Sequence, residues 1–129
     1  MKSFQNKIVV TTGAGSGIGR ALALEFGRQG ARLALNDHNS KGLTETLSML
    51  QSGSKDSVYS QTFDVSEEKA MFDFATEVKN RWGNAHVIIN NAGISGYTEP
   101  GFTTPISAYK KVMDINFYGV LYGTKAFLP

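Results

Sequence analysis

The sequence predicts an α/β fold, a doubly wound parallel sheet with helices on both faces, and three observations support it. Short apolar and β-branched runs alternate with segments of helical periodicity along most of the chain, as in a series of βαβ units. The fourth run, Val87-Ile88-Ile89, is continuously apolar, which is typical of a central strand covered on both faces. Glycines or polar residues follow every strand, at the edge where such sheets bind ligands.

The strands are expected at about 7–11, 32–36, 58–63 and 86–90. Each helix between them should bury one apolar stripe, because side chains three or four positions apart share a helix face. These stripes are Ile18, Leu22 and Phe26 in the first helix, Leu43, Leu47 and Leu50 in the second, and Ala70, Phe74 and Val78 in the third. The expected end signals are Gly30 and Gly53 after the first two helices, and Ser66 as the cap of the third.

A last helix is expected from Thr104-Pro105, a cap followed by a proline suited to the first turn, to about Phe127. Its apolar residues spread round most of the circumference. Gly119 and Gly123 allow another element to approach closely. A helix with this pattern needs cover on more than one side.

Length and composition narrow the class of protein. The chain has 129 residues, enough for a single domain over 1–129 and too few for two. Its net charge of +2 comes from intermixed signs, which argues against a nucleic-acid or membrane partner. Because there is no cysteine, disulfides and thiolate metal sites are excluded, and we predict no metal site. Neither a signal peptide nor an apolar run of membrane-spanning length is found, so a cytoplasmic protein is expected.

A glycine-rich run between the first strand and the first helix is the strongest functional motif. Glycines there let the backbone turn sharply and approach a pyrophosphate, while the helix N-terminus faces the anion. The spacing fits neither G-x-G-x-x-G nor the G-x-x-x-x-G-K-[ST] phosphate loop, and is T-G-x-x-x-G-I-G instead. A glycine-rich surface turn is the alternative. The candidate cofactor-binding residues of this run are Gly13, Gly15, Ser16, Gly17, Ile18 and Gly19.

Asp37 follows the second strand, 18 positions after Gly19. An acidic residue near this spacing accepts hydrogen bonds from the ribose hydroxyls of a dinucleotide, and it repels a 2′-phosphate. NAD is therefore the predicted cofactor and NADP is less favoured, although a cationic His38 would weaken that preference. An ordinary helix-capping role for Asp37, ahead of Asn39-Ser40, is the alternative.

Three further motifs follow the later strands or lie in the last helix. They are Asp64-Val65 after the third strand, Asn90-Asn91-Ala92-Gly93 after the fourth, and Asn116. Alone, each has an ordinary explanation: a turn or cap for Asp64, an Asn-rich turn, and a packing or bending role for Asn116. With T-G-x-x-x-G-I-G, in this order and spacing, they resemble the motifs of the short-chain dehydrogenase/reductase family over essentially the whole chain.

The resemblance implies a Rossmann-type sheet and an NAD(P)-dependent oxidoreductase that transfers hydride between the nicotinamide and an alcohol or carbonyl substrate. It also assigns Asp64 and Val65 to the adenine, and Asn91, Ala92 and Gly93 to the cofactor site. Asn116 would be the one catalytic residue present, a buried polar side chain that holds a water in the proton relay behind the family's lysine. His86 stands where family members often have an acidic residue, which leaves the local hydrogen bonding open.

The family's acid–base pair, a tyrosine with a lysine four residues on, has no match here, because none of the five tyrosines is followed by that lysine. The family's serine is also unmatched. The chain therefore resembles roughly the first half of a family member, and the fold is expected to be truncated after the fourth strand and the following helix. Hydride transfer needs an acid–base group for the substrate oxygen, so the 129-residue chain alone is predicted to be inactive.

Two other functions stay open. The first is a non-catalytic nucleotide-binding or dimerising module that docks its last helix on a longer relative, since paired helices of this kind form a dimer interface in many family members. A homo-oligomer is expected on the same ground. The second is an S-adenosylmethionine-dependent methyltransferase, because 13–17 also fits G-x-G-x-G. The methyltransferase leaves Ile18-Gly19, 90–93 and Asn116 unexplained.

Overall fold

The computed structural model describes residues 3–50, 55–96 and 99–129, and within them strands and helices alternate as predicted. In chain order they are β1 (Ile8–Thr11), α1 (Gly17–Arg28), β2 (Arg32–Asp37), α2 (Ser40–Met49), β3 (Val58–Thr62), α3 (Glu68–Trp82), β4 (Val87–Ile89), α4 (Ile106–Met113) and α5 (Gly119–Phe127). A 3-10 turn, Lys55–Ser57, precedes β3, and a π-helical segment, Asp114–Tyr118, joins α4 to α5. The expected end signal at Gly53 lies outside the described residues.

The four strands form one parallel sheet in the order β3-β2-β1-β4. The chain runs outward from β1 through β2 to β3, and then returns to the other side of β1 to form β4. The direction of winding therefore reverses between β1 and β4. The predicted doubly wound class is confirmed, and the crevice at the carboxyl ends of β1 and β4 is where such a sheet binds ligands.

The core consists of two apolar clusters, one on each face of the sheet. Successive residues of a strand point to opposite faces, so Val9 and Leu33 pack in one cluster while Val10 and Ala34 pack in the other. The first cluster is covered by α1 and α2, and the second holds Phe74 of α3, which is fully buried. Burying a side chain of this size stabilises the fold by roughly 1.5–3 kcal/mol. The strands below the crevice are thus held on both faces.

Three details of the predicted helices are wrong. Ile18, expected in the buried stripe of α1, is 73% exposed, and Gly19 and Ala23 are the residues buried there. Ile18 lies in the first turn, and helical side chains lean toward the N-terminus, so it projects past the end of the helix. The cap position of α3 is occupied by Glu67 rather than Ser66, and that of α4 by Pro105.

β4 is an edge strand among the described residues, with β1 as its strand neighbour, and its three residues are half-buried. Its residues pack in both apolar clusters, but the central position that its apolar run predicts is not found within residues 3–50, 55–96 and 99–129. His86 extends the pairing by one residue: its N–H donates to the Ile8 carbonyl (2.9 Å), and its Nδ1 accepts the Ile8 N–H (3.0 Å). The hydrogen bonding that the sequence left open is thus a contact to β1.

α5 packs against α3 and β4 with its two glycines turned inward. A Cβ on Gly119 would lie 2.7 Å from Val65 Cγ2, and one on Gly123 would overlap Asn90 Oδ1. The glycines therefore allow close contact with the residues that follow β3 and β4 in the same chain. A separate set of apolar residues is exposed: Ile106, Tyr109, Met113, Phe117, Val120 and Leu121. Over the ranges described, we find no helix that combines the length and apolar character needed to cross a bilayer.

Candidate functional site

Hydrogen bonds join the two walls of the crevice between β1 and β4. Thr12, just after β1, accepts the N–H groups of Asn91 and Ala92 at its Oγ1, both at 3.1 Å. The Asn91 Nδ2 donates in return to the carbonyls of Thr12 (3.1 Å) and Gly13 (3.3 Å). Asn91 and Thr12 thus fix the start of the glycine loop to the end of β4.

The first turn of α1 touches this loop at Gly19. A Cβ at Gly19 would overlap the Gly13 carbonyl oxygen and would lie 2.6 Å from Asn91 Nδ2. The N-cap residue Ser16 makes no side-chain capping bond to the helix. Because the first N–H groups of an α-helix have no intrahelical partner, the start of α1 presents donors and a positive dipole end to an anion in the crevice.

Asp37 lies beside the glycine loop, with its carboxylate buried. Its Oδ2 accepts the Gly15 N–H (2.8 Å) and its Oδ1 accepts the Asn39 N–H (2.9 Å). Helix α2 is capped by Asn39, whose Oδ1 accepts the Gly42 N–H (3.1 Å), so capping is not the role of Asp37. Each carboxylate oxygen can accept more than one hydrogen bond, so Asp37 retains acceptor capacity toward the crevice.

Arg20, which no sequence motif predicts, holds the glycine loop against α2. Its Nη2 donates to the Gly15 carbonyl (2.6 Å) and pairs with Glu45 (3.2 Å), and its Nε donates to Thr46 Oγ1 (2.9 Å). Thr46, fully buried, donates to the Ala14 carbonyl (2.7 Å). A half-buried arginine needs such partners, but neither its burial nor its partners on α2 are visible in the local sequence.

The crevice consists of two connected clefts. The first, here the glycine-loop cleft, is lined by the loop residues, by Asp37 and by Asn91. The second, here the α4 cleft, is lined by residues that include Asp64, Val65, Ile94, Lys111 and Ile115. Both clefts share the residues Gly13, His38, Ala92 and Gly93. The shared residues make the two clefts one groove across the carboxyl end of the sheet.

The α4 cleft has the two residues after β3 on one side. Val65 is buried, and the Asp64 Oδ1 accepts both the N–H (2.9 Å) and the hydroxyl (2.7 Å) of Ser66. The residue before them, Phe63, is held to β2 through its carbonyl, which accepts from Asn36 Nδ2 at 2.8 Å. Ser66 therefore serves the Asp64 turn, which explains why it does not cap α3.

Most residues predicted for the cofactor lie in this groove. The glycine-loop cleft contains Gly13, Gly15, Ser16, Gly17, Ile18, Asp37, Asn91, Ala92 and Gly93, and the α4 cleft contains Asp64 and Val65. Gly19 lies beneath the loop, where the absence of a side chain permits its close contact with the Gly13 carbonyl. The exposure of Ile18 follows from its place at the rim of the groove.

Asn116 does not match the buried residue that was predicted. It is exposed in the π-helical segment, and its amide hydrogen-bonds the Ile94 backbone next to the α4 cleft. Its helix turn carries Phe117 and Tyr118, which are also exposed. The described residues therefore leave this side of the helix uncovered, and the prediction of burial was wrong for that reason.

Comparison with known proteins gives consistent matches. A family model described as short chain dehydrogenase matches residues 7–129. SadH of Mycobacterium tuberculosis is 42% identical over 130 residues, 100% of this chain and 46% of that protein. Epidermal retinol dehydrogenase 2 of Homo sapiens is 40% identical over 129 residues, 99% of this chain and 41% of that protein.

A solved structure has the same fold. The crystal structure of a short-chain dehydrogenase/reductase from Burkholderia phymatum in complex with NAD has a TM-score of 0.88 at 31% identity, over 98% of this chain and 44% of that chain. This chain thus spans less than half the length of each of these relatives. The family match extends over nearly all of the 129 residues. The chain belongs to the short-chain dehydrogenase/reductase family.

Proposed function

We propose that residues 1–129 form the cofactor-binding part of an NAD-dependent oxidoreductase that acts on an alcohol or carbonyl compound. The observation that carries the proposal is the continuous groove that joins the glycine loop and Asp37 to Asp64 and Val65. The pyrophosphate would bind at the loop and the start of α1, the adenosine ribose at Asp37, and the adenine at Asp64-Val65. The bound nicotinamide would supply hydride chemistry.

NAD is proposed over NADP because of the charges around the ribose site. Asp37 is a carboxylate that accepts two backbone N–H groups at the rim of the loop, and its negative charge repels a 2′-phosphate. Among the described residues, the lining of the glycine-loop cleft contains neither lysine nor arginine. The nearby Arg20 already binds the Gly15 carbonyl and Glu45. His38 Nδ1 lies 3.3 Å from Asp37 Oδ1, and a protonated His38 would moderate the preference.

The proposed substrate class rests on the family and on the relatives' names, one of which is a retinol dehydrogenase. Asn116 is the proposed catalytic residue of this chain, as the side chain that holds a water of the proton relay. None of the tyrosines is followed four residues later by lysine. We therefore propose that these 129 residues bind cofactor without supplying the acid–base pair, and that they do not turn over substrate alone.

The test compares NAD, NADP and S-adenosylmethionine by calorimetry and by thermal shift on the purified complete polypeptide. A ligand that binds only the folded state raises the melting temperature. We expect NAD to bind at least tenfold more tightly than NADP and S-adenosylmethionine to give no shift. Binding of S-adenosylmethionine alone would favour a methyltransferase, and binding of no nucleotide would reject the proposal. Alcohol oxidation by the isolated 129 residues would reject the proposed lack of an acid–base pair.

A dimerising nucleotide-binding module is the second candidate, favoured by the exposed apolar residues of the last helix. Ile106, Met113 and Phe117 are 68%, 49% and 53% exposed, respectively, which is unusual for large apolar side chains that line one element. Light scattering after size exclusion tests this candidate. A dimer that dissociates in Phe117→Ser would support it, and a monomer at all concentrations would exclude it.

A further inference from the structure

Asn36 and Asp37 are neighbours at the end of β2, and their side chains point to opposite faces of the sheet. On one face Asp37 Oδ2 accepts the Gly15 N–H of the glycine loop. On the other face Asn36 Nδ2 donates to the Phe63 carbonyl at 2.8 Å, between two buried residues. One dipeptide therefore connects to both loops that flank the groove.

The orientation of the Asn36 amide follows from its partners. Nδ2 faces the carbonyls of Phe63 (2.8 Å) and Gln61 (3.5 Å), which only accept hydrogen bonds, so the NH₂ group must be on this side. The Oδ1 is buried without a partner among the described residues. An apolar side chain would avoid that unpaired acceptor. At this buried position, asparagine therefore provides one thing that an apolar residue would not, the hydrogen bond to the Phe63 carbonyl.

Phe63 directly precedes Asp64 and Val65, the residues proposed for the adenine. Its N–H donates to the Asp37 carbonyl (3.2 Å) and its C=O accepts from the Asn36 side chain, so both of its backbone polar groups are fixed to β2. Asn36 itself lines the α4 cleft with these residues. Without the Asn36 amide, the Phe63 carbonyl would lose its hydrogen bond to β2. Asp64 and Val65, the next two residues, would then no longer be held in a fixed position.

We propose that Asn36 is a positioning residue for nucleobase recognition. By holding the Phe63 carbonyl, Asn36 places Asp64 and Val65 close enough to the bound base to distinguish adenine from other bases. Asn36 acts through these two residues and does not itself contact the base. This inference rests on the proposed function, because it requires a dinucleotide whose base lies in the α4 cleft.

The test measures a ratio of affinities. NAD and nicotinamide hypoxanthine dinucleotide differ in the base, where the 6-amino group of adenine is replaced by a carbonyl oxygen. Their dissociation constants are measured by calorimetry for the wild-type complete polypeptide and for Asn36→Leu. A hydrogen bond from the amino group to a carboxylate corresponds to about a tenfold preference or more. We expect the wild type to prefer NAD by about tenfold and Asn36→Leu by less than about threefold.

Thr46→Val is the matched control. Thr46 is as buried as Asn36, and it also donates to a loop carbonyl, but to Ala14 of the glycine loop. A purely structural loss should weaken both dinucleotides equally. We therefore expect Thr46→Val to raise both dissociation constants and to keep the tenfold ratio.

The outcomes separate this inference from the proposed function. If the wild type binds neither dinucleotide, the proposed function fails. If it binds both equally, or if Asn36→Leu keeps the wild-type ratio, NAD binding stands and the role of Asn36 is rejected. If Asn36→Leu does not fold, Asn36→Ser is measured instead, and a ratio equal to that of the wild type rejects the role in the same way.

Discussion

Asn116 hydrogen-bonds both backbone groups of Ile94. The Ile94 N–H donates to Asn116 Oδ1 at 2.9 Å, and Asn116 Nδ2 donates to the Ile94 carbonyl at 2.8 Å. The side-chain amide thus pairs with Ile94 as the backbone of a neighbouring strand would. It connects the segment after β4 to the π-helical turn between α4 and α5. π-Helical turns occur frequently at functional sites, and this one turns Asn116 toward the groove.

Asn116→Leu should release this segment. Both hydrogen bonds are lost, and we expect the free energy of unfolding to fall by about 1–2 kcal/mol. The sharper measurement is hydrogen exchange of the Ile94 amide, which should accelerate at least tenfold. Asn80→Leu, an exposed change on α3, is the control and should leave that amide unaffected. Unchanged exchange at Ile94 in Asn116→Leu would show that another group protects it.

Local pattern explains why the strands and the ligand-binding edge could be predicted. β1 begins at Ile8 where Lys7 was expected, and β2 ends one residue later than expected, at Asp37. These elements are fixed by apolar runs and by glycines that act over a few residues. The glycine loop and Asp37 fall at the ends of strands, so the topology of a parallel sheet brings them together.

The remaining features depend on contacts between distant parts of the chain. Arg20 and Thr46 meet across two helices, and Asn36 meets Phe63 across two strands. No local pattern encodes these distances. The burial predicted for Asn116 failed similarly, because it depends on what covers a helix face and not on the residues of the helix itself.

Gly19→Ala should be strongly destabilising although it lies in a helix, where alanine is normally preferred. The new Cβ would overlap the Gly13 carbonyl oxygen, a backbone atom that cannot move without opening the loop. We expect a loss of about 3 kcal/mol in urea unfolding. Gly96→Ala is the control, because a Cβ there would meet no atom within 4 Å. Equal stability of the two variants would contradict the close contact at Gly19.

The pKa of Glu25 should be measurably low. Hydrogen bonds from Arg28 and Gln29 lower it from 4.5 to about 2. Because the pKa is lower in the folded than in the unfolded chain, this carboxylate stabilises the fold above about pH 4.5, and the contribution is lost as the pH falls toward 2. Carboxyl NMR titration should place the midpoint near 2. Arg28→Leu should move it upward, and an ordinary midpoint in the wild type would show that the contacts are not maintained.

Asp37→Asn should change the preference for NAD over NADP. The change keeps the size of the side chain but removes the charge that repels a 2′-phosphate. The new NH₂ group would also face an N–H donor, either Gly15 or Asn39, in place of a carboxylate oxygen. We expect NAD affinity to fall by about 10- to 100-fold, because hydrogen bonds to a charged group are worth about 1.5–3 kcal/mol. The affinity for NADP should change less, so the ratio of the NAD affinity to the NADP affinity falls.

Calorimetric titration of both dinucleotides measures that ratio, and Asp73→Asn is the matched control. Asp73 is an exposed carboxylate on α3 that pairs with Lys69 (2.6 Å), outside the residues that line the groove. Asp73→Asn removes the same charge from the chain as Asp37→Asn, so an effect of net charge alone would appear in both variants. A ratio lowered only in Asp37→Asn supports local repulsion at the ribose. A ratio lowered equally in both variants, or in neither, would mean that Asp37 does not select the cofactor.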